Sequence, residues 1–209
     1  MFLTQELDDT IEFENKTFEI DMSFDNILRL TELLEDKELQ EFEKIIIAIE
    51  MLVIDDVEDM DFFTLYNLFM AILKDKLGFI SDEQQEGSEQ AENTNETPIK
   101  KEYDFDVDGE RIYASFLMDY GIDLIDQQGK LHWKKFLSLF SGLSEKTPFM
   151  QVVNIRTMEV PKQNKHNAKE RKRIQDLKRK YALEQPDLQS GLDQAATFLK
   201  RHATKKGGE

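Results

Sequence analysis

The segment with the most chemical content is Asp104-Phe105-Asp106-Val107-Asp108-Gly109. Carboxylates at alternate positions followed by glycine match the opening of a calcium-binding EF-hand loop, where oxygen ligands converge on a hard cation. The rest of that loop is missing. Its last ligand position, which needs a bidentate glutamate, is Ser115, charged Arg111 replaces a usually apolar residue, and polar linker precedes it where a helix should enter. An acidic helix start, with Asp106 or Asp108 as the cap and a favourable helix dipole, suits these residues better. Asp55, Asp56, Glu58, Asp59 and Asp61 form a second acidic group. It reads as a solvated turn and an N-cap in preference to a cation site. His132 beside Trp133 could exchange protons, yet no nucleophile or second histidine accompanies it, so it reads as a helix-start or partly buried histidine. His166 and His202 lie near the C-terminus.

No phosphate-binding, dinucleotide, zinc or serine-elbow pattern occurs. Cysteine is absent altogether, which excludes disulfides, thiolate metal sites and cysteine nucleophiles and fits a reducing compartment. The chain is therefore expected to bind rather than catalyse, with no cofactor and no metal. One run, Lys169, Arg171, Lys172, Arg173, Lys178, Arg179 and Lys180, has the charge to meet phosphates. Aromatic residues are not interleaved with it, which disfavours single-strand stacking. A solvated face, or a contact with an acidic protein surface, is the preferred reading, and nucleic acid is not the expected partner.

The elements that would position these residues follow from apolar spacing. Residues 11–22 alternate through Ile11, Phe13, Phe18, Ile20 and Met22 and predict a short hairpin. A helix from Ser23 or Asp25 to about Glu35 carries Ile27, Leu30, Leu33 and Leu34. A second, from about Glu38 to Ile54, carries Leu39, Phe42, Ile45, Ile46, Ile49 and Val53. A third, from about Asp61 to Leu77, turns Phe62, Leu65, Leu68, Phe69, Ile72 and Leu73 inward, and Gly78 ends it. Residues 82–97, DEQQEGSEQAENTNET, cannot bury enough apolar area to offset chain ordering and read as a flexible, self-repelling linker. Beyond it, a helix from Gly109 to Tyr120 presents Ile112, Tyr113, Phe116 and Leu117. Another, from Leu131 to Leu143, turns Trp133, Phe136, Leu137 and Phe140 inward. Thr147-Pro148 opens a third with Phe149, Val152 and Val153. After Pro161 a charged helix with a thin stripe of Ile174, Leu177 and Tyr181 is expected, then a weakly amphipathic segment from Leu188 to His202.

With 40% apolar residues, 15 of them Phe, the 209-residue chain can build a genuine core. Its charge is split. Residues 1–98 hold 27 Asp and Glu against 6 Lys and Arg, net −21; residues 99–209 hold 16 against 21, net +5, giving the overall −16. The N-terminal MFLTQELDD is acidic where a signal peptide is basic, and the longest apolar run, broken by Glu50, is too short to span a bilayer. The expected fold is mainly α with a short N-terminal β-hairpin. Two small helical domains, residues 1–81 and 101–160, are joined by the acidic linker 82–100 and followed by a basic helical tail, 161–209.

From Tyr103 onward, YDFDVDGERIYASFLMDYGIDL, LHWKKFLSLFSGL and TPFMQVVNIR resemble a family of small acidic proteins of siphophages and prophages of Gram-positive bacteria. Their gene usually lies just before the tape-measure gene. The resemblance covers roughly residues 11–160, more loosely in the front half, and departs where Lys134 replaces a usual aromatic. It implies a tail-assembly chaperone or adaptor that binds the tape-measure protein in the host bacterial cytoplasm, and possible contact with itself or other tail proteins, but no membrane partner. Tyr113, Phe116, Tyr120, Trp133, Phe136 and Phe140 are the expected partner-binding residues; the competing reading makes Trp133 the core of a small domain. Two rival functions stand beside this one: a structural tail or neck component, and a nucleic-acid-binding regulator acting through the basic tail.

Overall fold

The computed structural model describes residues 4, 6–79, 101–164 and 166–183, which form two compact units, one on each side of residues 80–100. The expected linker and the segment from Leu188 lie outside the described residues. The chain is mainly helical with a short N-terminal hairpin, as its apolar spacing predicts.

In the first unit, β1 (Thr10–Phe13) pairs antiparallel with β2 (Lys16–Glu19), Ile11 facing Phe18. The turn residues Glu14 (φ 48°) and Asn15 (φ 64°) are both left-handed, the backbone that a two-residue hairpin turn demands. Period-two alternation puts Ile11 and Phe18 on the buried face. Three helices follow: α1 (Phe24–Glu35), α2 (Glu41–Leu52) and α3 (Phe62–Ala71), the last running directly into a π-helical turn, Ile72–Leu77. The hairpin is stitched to the exit of α2, where Asp21 N donates to Leu52 O at 2.8 Å and Ile54 N to Glu19 O at 2.9 Å. Two buried polar side chains serve the same joints. Asn26 Nδ2 donates to Met51 O at 2.8 Å, and Lys44 Nζ reaches Leu34 O at 3.1 Å, satisfying a carbonyl at the end of α1. Asp61 caps α3 as expected, accepting from Phe63 N at 2.9 Å and Thr64 N at 3.1 Å.

The second unit comprises α4 (Gly109–Tyr120), α5 (Trp133–Ser141), α6 (Pro148–Thr157) and α7 (Ala168–Lys180). Local chemistry sets the ends. His132 Nδ1 accepts from Lys134 N at 2.9 Å, so it is a helix cap, and Thr147 caps α6 ahead of Pro148. Gly121 closes α4 with φ 64°. Gly142 is tightly approached: a Cβ there would stand 3.0 Å from Tyr120 Oη, which donates to Leu139 O, so a side chain would have to displace that hydroxyl by a few tenths of an ångström.

Two expectations are corrected. The residues after Pro161 do not begin a separate tail. α7 packs on α6 with Ile174 only 7% exposed, and Tyr181 O accepts from Arg156 Nε at 2.6 Å, so the second unit extends through α7. Leu137, expected inward, is exposed, as is Leu117 on α4. Their helices carry wider apolar faces than their neighbours cover. Among the described residues no helix is long and apolar enough to cross a membrane.

Trp133 is the only tryptophan and lies in the second unit, so its fluorescence reports that unit alone. Ile174→Ala should lower the unfolding free energy read by that signal by about 2 kcal/mol or more. An unchanged denaturant midpoint would make α7 an appendage.

Candidate partner-binding surface

The six aromatic residues singled out by sequence separate into two groups. Phe116, Trp133, Phe136 and Phe140 are buried at 0, 4, 1 and 8% exposure. They stack on one another: Phe116 and Phe136 ring centroids are 5.2 Å apart and near-parallel, Trp133 and Phe136 5.5 Å, and Phe136 and Phe140 5.8 Å. Tyr103, Phe105 and Phe149 extend the cluster edge-on and tilted. These four are interior side chains and not exposed ones, because the four helical segments use them as core. Tyr113 and Tyr120 are half-buried and spend their hydroxyls internally, Tyr113 Oη donating to Asp123 Oδ2 at 3.0 Å. That bond to a carboxylate pushes the Tyr113 phenol above its ordinary range, and burial does the same to Tyr120.

The acidic loop before α4 has a structural task. Asp108 is fully buried at the N-cap position, but its carboxylate does not cap the helix. It meets the Arg156 guanidinium two-pronged, with Oδ2–Nη1 2.5 Å and Oδ1–Nη2 2.9 Å, and Arg111 Nη1 adds a third contact at 3.1 Å. Asp104 Oδ1 accepts from Asp106 N and Val107 N, closing the turn. Burial raises the Asp104 carboxyl, but the 2.6 Å bond from Lys101 Nζ and these backbone N–H groups outweigh it and hold the group below its ordinary 3.8. Ser115, in place of the EF-hand glutamate, is also fully buried. Its Oγ donates to Arg111 O at 2.6 Å and accepts from Phe149 N at 3.1 Å, which ties α4 to the first turn of α6. Among the described residues no cluster of three His, Cys, Asp or Glu side chains is placed to hold a metal.

What remains for a partner is the apolar surface that neither unit covers. In the second unit it is Leu117, Met118 and Leu137 on the helices, with Tyr103, Val107, Ile125 and Met158 outside them. In the first it is Phe42 and Ile46 on α2, then Ile54 and Phe63, the last two 61 and 63% exposed. A family model described as Bacteriophage Gp15 protein matches residues 3–183. The chain belongs to this family. It is thus a bacteriophage protein, and the match runs through both units and α7, beyond the expected limit near residue 160. Neither the curated proteins nor the solved structures compared with the chain include a match. Arg156 is marked in sequence as part of the resembling TPFMQVVNIR and as the one charge in PFMQVVNIR, though not as the partner of Asp108; the usable signal for Phe63 is that residues 62–73 hold no charge at all.

Removing one partner of a buried ion pair strands the other. Arg156→Met should cost the second unit about 3–5 kcal/mol by Trp133-monitored denaturation, whereas a loss under about 1 kcal/mol would class the pair with surface salt bridges. Asp104 titrates lower in the folded state than unfolded, so its stabilisation is complete above 3.8 and is lost as pH falls through the folded value. Asp104→Asn should therefore destabilise at neutral pH and flatten the acid limb of the stability profile; an unchanged limb would remove Asp104 from that role.

Proposed function

We propose that this phage protein is a non-enzymatic tail-assembly chaperone or adaptor whose partner is the tape-measure protein. The observation that carries the reading is the set of large apolar side chains left in solvent on a chain of net charge −16, among them Phe63, Ile54, Met118 and Ile125. Exposed apolar patches rimmed by charge mark interaction surfaces. A long helical tape measure with an apolar stripe aggregates when bare, and a binder that covers the stripe must itself supply solubility through charge. Resemblance to siphophage proteins encoded beside the tape-measure gene supplies the partner, and assembly would take place in the host bacterial cytoplasm.

One observation favours a second reading. α7 lays Lys169, Lys172, Arg173 and Lys180 around a shallow depression that Asp176 and Leu177 also line, a surface of net positive charge that could meet a polyanion. Binding to duplex DNA whose affinity falls steeply with salt would support a nucleic-acid role.

Co-expression with the tape-measure protein should move that protein from pellet to supernatant and recover the two together on affinity purification. If the tape-measure protein pellets equally with and without its neighbour and never co-purifies, the chaperone reading fails. A stoichiometric band in purified particles would make the protein a structural tail component instead.

A further inference from the structure

Helix α3 has the composition of an interior helix but not its surroundings. Residues 62–73, FFTLYNLFMAIL, hold no charge in a chain that is 33% charged. Thr64 and Asn67 are its only polar positions besides the Tyr66 hydroxyl, and a helix so apolar is ordinarily buried over most of its surface. Here only Leu68 and Phe69 of α3 are buried, against the rest of the first unit, while Phe62, Tyr66 and Met70 are half-buried and Phe63 is 63% exposed. Phe63, Tyr66 and Met70 fall at i, i+3 and i+7, on one face. That is the spacing by which helices engage other helices. The π-helical turn Ile72–Leu77 follows directly, and turns of this kind, which widen the helix and break its register, occur frequently at functional sites.

Charge selects the occupant. Residues 6–79 hold 21 Asp and Glu against 6 Lys and Arg, net −15. The turn leading into α3 carries Asp55, Asp56, Glu58, Asp59 and Asp61, all exposed, with Ile54 exposed beside them. An apolar face with that rim repels acidic helices, including a second copy of the same unit, and attracts one that carries Lys and Arg beside an apolar stripe. We infer that α3 and the acidic turn before it form a docking face for a cationic amphipathic helix. The identity of the natural partner rests on the chaperone reading; the chemistry of the face does not.

The test uses the full chain and a fluorescent Leu/Lys amphipathic peptide of about 20 residues, long enough to be helical, with a Leu/Glu peptide and a scrambled Leu/Lys peptide as controls. The Leu/Lys helix should bind, and both controls should bind at least about tenfold more weakly. Phe63→Asp should also weaken binding about tenfold or more, the scale of a lost anchor. This variant adds negative charge, so an interaction driven by charge alone would tighten instead. Phe63 is exposed in the free protein, and circular dichroism should show the variant folded. Equal binding by the scrambled peptide, or unchanged binding by Phe63→Asp, overturns the proposal. So does a wild-type dimer in sedimentation that Phe63→Asp converts to monomer, which would assign the face to self-association. A chain ending at residue 183 that binds the peptide at least tenfold more tightly would mean that its own C-terminal segment occupies the face, and would overturn the proposal equally. If the peptide binds as expected but the tape-measure protein does not, the docking face stands and the chaperone reading falls.

Discussion

The second unit depends on the charged pair between Asp108 and Arg156. From the last turn of α6, one guanidinium reaches Asp108 at the start of α4, Glu102 O in the segment leading into the unit, and Tyr181 O at the end of α7. Four of its bonds end on three residues, Glu102, Asp108 and Tyr181. Burying two charges carries a desolvation cost that their attraction does not by itself repay, so the pair is weak evidence of net stability. Its contribution is specificity. A planar donor with fixed directions accepts one arrangement of the surrounding segments, whereas apolar contacts alone would tolerate several. The aromatic stack beside it has large area but little direction. The two together account for one packing of α4, α5, α6 and α7.

The two units use apolar residues differently. In the second, the aromatic side chains are largely consumed as interior: Phe116, Trp133, Phe136, Phe140 and Phe149 are all buried. In the first, mostly aliphatic residues of the hairpin, α1 and α2, with Phe18 and Phe24, fill the core, and α3 contributes only part of its surface to it. A small helical unit has room for one or two faces of each helix. When a helix is apolar over most of its surface, the surplus must meet solvent or something else. That geometric surplus, more than aromatic content, separates a residue available to a partner from one that is not.

Charge keeps such a surface tolerable. The first unit is strongly acidic and the second mildly basic, so copies of the first unit repel each other while their apolar faces stay accessible to a partner of opposite sign. Family membership places the chain among bacteriophage proteins.

Much of the architecture was legible in the amino-acid order because it is local. Period-two alternation at Ile11 and Phe18 and three-to-four spacing in α1 to α6 follow from backbone geometry, and Asp61, His132, Thr147 and Gly121 mark helix ends through bonds or angles within a few residues of themselves. Tertiary structure alone decided what each exposed or polar group faces. Asp108 looked like a cap or half a cation site until Arg156, 48 residues away, was brought against it. Ser115 looked like a missing ligand until Phe149 N, 34 residues away, required an acceptor. Trp133 and Phe63 are equally apolar in sequence, yet one is interior and the other exposed, because helical periodicity defines a face without saying whether another element will cover it.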